Sequence, residues 1–172
     1  MDTQGNIVRI LGVDTSLRST GIGIIDGVRR EIKAVTYGTI KNKPSVPHSE
    51  CLWKINREIR ALIEHYEPAV VAVEGIFFFK NAKTSMILGQ ARGVVLAACA
   101  EQGRQVFEYA PRLVKQSIVG TGRAEKAQVG AMVQRLLHLP SIPSSDAADA
   151  LAIAMTHLHQ LHLPEELRVK PI

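Results

Sequence analysis

What this chain lacks narrows the field first. It has only two cysteines, Cys51 and Cys99, each inside a helix-like segment. That argues against a disulfide framework or a thiolate metal site and fits a reducing cytoplasm. No apolar run approaches the ~20 residues needed to span a bilayer. The opening MDTQGNIVRI has no basic start followed by a long apolar stretch, so no signal peptide is expected. Internal repeats, low-complexity runs and linker-like stretches are missing too. The 172 residues are therefore expected to form one domain, 1–172, with a loosely held tail over about 163–172.

What is there suits a folded, buried core: 46% of residues are hydrophobic and 22% charged. The charge is unevenly spread. Net charge is +5, yet residues 80–135 hold nine Lys/Arg against three Glu, a surplus of six, so the remainder nets −1. A basic middle points to a polyanionic partner, most often nucleic acid. A solvated basic surface without a ligand is the plainer alternative, and charge alone does not separate the two.

Pattern along the chain gives the elements. Residues 7–14, 20–26 and 31–40 are rich in β-branched residues and read as three strands, joined as an antiparallel meander. Leu52, Ile55, Ile59, Leu62, Ile63 and Tyr66 recur at steps of three and four and predict an amphipathic helix ended by Pro68. AVVAVE (69–74) reads as a strand covered on both faces. A helix follows over about 83–101, with Gly89 and Gly93 four apart. Each glycine costs about 1 kcal/mol relative to Ala, so close packing on another helix or backbone is expected there. A fifth strand (105–110), a helix opened by Pro111, a helix over about 124–138 and a last helix from about Ser145 complete the order. The fold class is α/β: a five-stranded mixed sheet flanked by helices.

Four acids fall at telling places. Asp14 ends the first strand and Glu74 the fourth, where open α/β sheets build sites. Asp146 and Asp149 are three apart and share a helical face. Each has a bland reading: an Asx turn for Asp14, an ion pair for Glu74, helix capping for the two aspartates. If the last helix crosses the strand ends, all four converge, and their repulsion calls for divalent cations. Oxygen ligands without His or Cys suit Mg²⁺ or Mn²⁺, and two ions ~3.5–4 Å apart can cut a phosphodiester.

In their order and spacing, ILGVD (10–14), STGIGII (19–25), VAVEGIFFFKNAKTSMILGQARG (71–93), VFEYAPRLVKQSIVGTGRAEKAQV (106–129) and SDAADALAIAMTHLH (145–159) resemble the RuvC family of Holliday-junction resolvases. The resemblance covers about residues 7–160 and implies a ribonuclease H-like fold. It implies that Asp14, Glu74, Asp146 and Asp149 are catalytic and bind metal; within that set, Asp14 and Asp149 are expected to hold the ion that bears the nucleophilic water, and Glu74 and Asp146 to complete the two-ion cage. It also implies four-way junction DNA as substrate, a homodimer in which each subunit nicks one of two like-polarity strands, and the RuvA–RuvB branch-migration complex as partner. The place implied is the bacterial cytoplasm, at the nucleoid. Phe77 matches a family aromatic that stacks on bases, although three successive aromatics are more often core; Lys80 is taken with it as a DNA contact. Lys115 and Lys126 match family lysines near the scissile DNA, with ordinary surface lysine as the alternative. Arg92 and its neighbours Gln90 and Gly93 read as structural, and HLHQLH (157–162) as a polar helix end. Thr15-Ser16 stand where the family usually has Pro-Gly, which puts the loop's shape and its DNA contact in question. Two rivals remain: a ribonuclease H-like nuclease for another structured nucleic acid, and a catalytically silent junction-binding module.

Overall fold

A computed structural model describes residues 7–28, 31–75 and 81–172. Its elements are β1 (Val8–Asp14), β2 (Ser19–Val28), β3 (Glu31–Lys41), α1 (His48–Tyr66), β4 (Val70–Glu74), α2 (Ala82–Glu101), β5 (Gln105–Tyr109), α3 (Pro111–Val119), α4 (Lys126–Leu136) and α5 (Ser145–Gln160). The strands form one sheet in the order β3-β2-β1-β4-β5. β1, β2 and β3 pair antiparallel, as expected for a meander, while β4 runs parallel to both β1 and β5.

Each face of the sheet has its own apolar layer. On one side Ile55, Ile59 and Ile63 of α1 and Ala91, Val95, Ala98 and Cys99 of α2 cover Leu11, Val13 and Val73. Helix α1 stops where Glu67 turns left-handed at φ 48° and donates its N–H to Ile63 O, directly before Pro68. On the other side α5 lies on the sheet beneath α3 and α4. It is buried almost all round, from Ala147 and Ala148 through Ala150 to Leu158. Among the described residues no helix is long and apolar enough to cross a membrane.

Two glycines set how closely α5 lies on the strands. A Cβ on Gly12 of β1 would stand 2.0 Å from Ala150 O, and one on Gly21 of β2 would stand 1.9 Å from Asp146 O. Any side chain there would lift the helix off the sheet.

Two expectations change. Among the described residues Gly89 and Gly93 find no such close neighbour: both are exposed, and a Cβ at either meets nothing within 4 Å. The histidine run is not simply a polar helix end. His157 is buried, 2.7 Å from the Tyr109 hydroxyl through Nδ1, and His159 Nδ1 stands 2.8 Å from Ser117 Oγ. Burial holds the His157 imidazole down at about 4, so it is neutral in the core. Past α5 the tail makes a short 3-10 turn, Glu165–Leu167, and Ile172 N–H donates to Val106 O on β5 at 2.9 Å.

Candidate active site

The sheet topology places the first two acids. β1 and β4 are neighbouring parallel strands with Val13 opposite Val73, so Asp14 and Glu74 leave the same sheet end side by side. The close seat of α5 brings Asp149 to that end from above. Asp14, Glu74 and Asp149 line one cleft of about 200 Å³ together with Lys115 of α3 and Lys126, the first residue of α4. Lys126 is aimed by its helix start. Glu125 caps α4 in a reciprocal box with Gln128, its own N–H donating to Gln128 Oε1 at 2.8 Å. Lys126 Nζ then donates to Asp149 Oδ2 at 3.0 Å.

Asp146, expected beside Asp149, is turned toward β2 instead and is absent from the cleft wall. Ser19 Oγ donates to its Oδ2 at 2.5 Å. Spacing of three puts two side chains on one helical face but leaves them a wide angle apart, and here Asp149 takes the cleft side. Phe77 and Lys80 lie outside the described residues.

The electrostatics follow from burial. Asp14 is raised to about 6, chiefly by burial, then by the charge of Asp149; Lys126 pulls the other way, and Asp146 adds a little. Glu74 is raised to about 7 by burial first, then by Asp14 and Asp149, against Lys126 and Lys115. The Lys126 ammonium is raised by its bond to Asp149. These acids hold more negative charge than one ion pair offsets, and they offer only oxygen. That is the donor chemistry of a hard divalent cation. As the side chains stand, no group of three or more His, Cys, Asp or Glu among the described residues closes on a single ion position. The residues present fit a cation by charge and donor type; in these positions they do not yet enclose it.

The loop after Asp14 has its own fastening. Ser16 N–H donates to Thr20 Oγ1 at 3.3 Å, and that hydroxyl donates back to Ser16 O. Arg18 Nη1 reaches across to Lys43 O at 2.7 Å and Val46 O at 3.0 Å. Thr20 thus closes the turn at Thr15-Ser16 without glycine. Thr15 Oγ1 is buried with no hydrogen-bond partner among the described residues.

Sequence reasoning missed three residues around the acids: Ser19, and Arg92 with Glu108 behind Glu74. Nothing in a lone serine marks it as a carboxylate's partner. Arg92 did carry a signal, a charged residue set just before the apolar run Val94–Ala100 of α2.

Strand order, acids at the ends of two parallel strands and a helix lying across them define a ribonuclease H-like protein. A family model described as crossover junction endodeoxyribonuclease RuvC matches residues 10–157. The chain is 45% identical over 157 residues to crossover junction endodeoxyribonuclease RuvC of Syntrophomonas wolfei, covering 91% of each chain. It is 47% identical over 154 residues to that of Xanthobacter autotrophicus, covering 90% of this chain and 91% of the relative. Among solved structures, T. thermophilus RuvC in complex with a Holliday junction substrate superposes with a TM-score of 0.87 at 32% identity, over 96% of this chain and 99% of that one. The chain belongs to the RuvC family of crossover junction endodeoxyribonucleases, which are metal-dependent nucleases.

Proposed function

We propose that this chain resolves four-way DNA junctions by hydrolysing phosphodiester bonds at the cleft between Asp14, Glu74 and Asp149. One arrangement carries the reading: carboxylates from β1, β4 and α5 share an opening with Lys115 and Lys126. The T. thermophilus relative is described with a Holliday junction bound, and that substrate is carried over here. Oxygen-only donors suit Mg²⁺, two ions to a site, with Mn²⁺ as a substitute. Asp14, Glu74 and Asp149 would hold them, and Asp146, steadied by Ser19, would complete the set. A bound ion supplies an activated water and takes up charge on the leaving oxygen.

The chain's own residues do the rest. Lys126 and Lys115 put positive charge at the mouth of the cleft, where a phosphodiester gathers negative charge as it is attacked. With Asp14 near 6 and Glu74 near 7, protons compete for both acids at neutral pH, and cation binding releases them. The working form is a homodimer, one nick per subunit on strands of like polarity. It is supplied with junctions by the RuvA–RuvB complex in the bacterial cytoplasm, at the nucleoid.

A substrate panel tests the reading: a mobile-core four-way junction, linear duplex, an RNA–DNA hybrid and a structured RNA, each in Mg²⁺, Mn²⁺ and EDTA. Nicking confined to the junction and lost in EDTA is expected. Cleavage of the hybrid or the RNA instead moves the protein to another nuclease activity, and tight junction binding without nicks in any metal makes it a binding module.

A further inference from the structure

Among the described residues, Arg92 of α2 is the one Lys or Arg that is buried, at 9% exposure. A guanidinium withdrawn from water needs partners for its fork of N–H donors. Arg92 has two, on two different strands. Nη1 donates to the carbonyl oxygen of Glu74 at 2.7 Å, and Nη2 pairs with the Glu108 carboxylate. Glu74 is the last residue of β4, and Glu108 is the penultimate residue of β5. The two strands are joined directly here as well: Glu74 is in register with Tyr109, and Gly75 N–H donates to Tyr109 O at 2.9 Å. Glu108 lies close over the chain just past Glu74, since a Cβ on Gly75 would come 3.1 Å from its Oε1.

Glu74 therefore ends its strand between two fastenings, the main-chain bond of Gly75 to β5 and the Arg92 fork from α2. We infer that the Arg92–Glu108 pair is a positioning device for the metal site: the fork grips the main chain of Glu74 from behind and fixes the direction in which its side chain enters the cleft. Arg92 touches neither substrate nor ion on this account. It acts through Glu74, and the inference rests on the proposed role of Glu74 as a metal-holding acid.

A plain staple between helix and sheet predicts a different outcome, and the two separate experimentally. Arg92→Lys keeps the charge and the apolar stem but cannot bridge two acceptors on separate strands. Glu108→Gln keeps an acceptor without the charge. Both variants of the full chain are titrated with Mn²⁺ by calorimetry at 25 °C, with circular dichroism confirming that they are folded. The same samples are assayed for nicking of a four-way junction, separating kcat from KM. Partners that orient a metal-holding side chain typically matter 10–100-fold. Each variant is expected to bind Mn²⁺ about tenfold more weakly, with kcat lowered and KM for the junction within about twofold of the parent. The double variant is expected to lose no more than either single one, because both break the same link. Mn²⁺ affinities equal to the parent's, in folded variants that merely melt earlier, would overturn the inference and leave a structural staple. A parent chain that binds Mn²⁺ yet nicks no junction leaves the calorimetric comparison intact and rejects the resolvase reading instead.

Discussion

Replacing Asp14 by Asn should stabilise the metal-free protein, and by an amount that depends on pH. Asp14 is held at about 6 against 3.8 for an ordinary aspartate, so the folded chain resists its ionisation. A carboxyl raised in this way contributes stability that is complete below pH 3.8 and is lost as pH climbs through about 6. At pH 8 the full cost is present. Each tenfold change in a protonation equilibrium is ~1.4 kcal/mol, so the gap corresponds to about 3 kcal/mol. The cleft is open to water and its lysines can shift, which brings the expected figure to about 2 kcal/mol. Asn has nearly the same shape and no charge to strand. In EDTA at pH 8, the Asp14→Asn protein should melt about 4–8 °C above the parent. At pH 4 the difference should shrink to a degree or two. With saturating Mn²⁺ at pH 8 the order should reverse, because the parent gains about 2.7 kcal/mol at a hundredfold excess over Kd and the variant gains little. Thermal unfolding followed by circular dichroism reads all three conditions. A variant less stable than the parent at pH 8 in EDTA, or a gap that does not change with pH, would refute the electrostatic account of the cleft.

Other expectations follow from the same contacts. Gly21→Ala places a methyl group 1.9 Å from Asp146 O and should cost about 3 kcal/mol or more by prying α5 from the sheet; urea unfolding measures it. Ser19→Ala removes the donor to Asp146 Oδ2 and should cost about 1 kcal/mol while raising the half-saturating Mn²⁺ concentration several-fold; an unchanged Mn²⁺ requirement would show that Asp146 does not serve the metal. Lys126→Met removes the one cation among the described residues that lowers both Asp14 and Glu74. The acid limb of the nicking–pH profile should therefore move to higher pH, and a limb that stays in place or moves down would count against Lys126 as their counter-charge.

Much of this architecture was legible because it follows from local pattern. Alternating and continuous apolar runs marked all five strands, and steps of three and four marked α1. Asp14 and Glu74 could be placed at strand ends because a charge that stops an apolar run can only sit where the sheet meets water. Asp146 and Asp149 were harder. Helical spacing shows that they share a face, yet which of them reaches the cleft depends on how far α5 sinks onto β1 and β2. That depth is set by Gly12 and Gly21, many residues away in sequence. Ser19 escaped notice for the same reason: its bond to Asp146 spans 127 positions. His157 was misjudged because it was read together with the histidines that follow it at 159 and 162, while its neighbours in space are Tyr109 and Phe107. The spacing of Gly89 and Gly93 predicts close packing on another helix or a backbone, without saying which. A helical pattern tells that a face is smooth, and only the packed fold tells whether that face looks inward or out.

The central claim is that the acids at the sheet end cut the junction. Its most direct test is nicking of a synthetic mobile-core four-way junction in Mg²⁺ by the parent and by Asp14→Asn, Glu74→Gln, Asp146→Asn and Asp149→Asn, each first shown to bind the junction in EDTA. The account predicts paired, symmetric nicks by the parent and losses of several orders of magnitude in every variant, with binding retained. A variant among Asp14, Glu74 and Asp149 that still nicks at the parent's rate would contradict it.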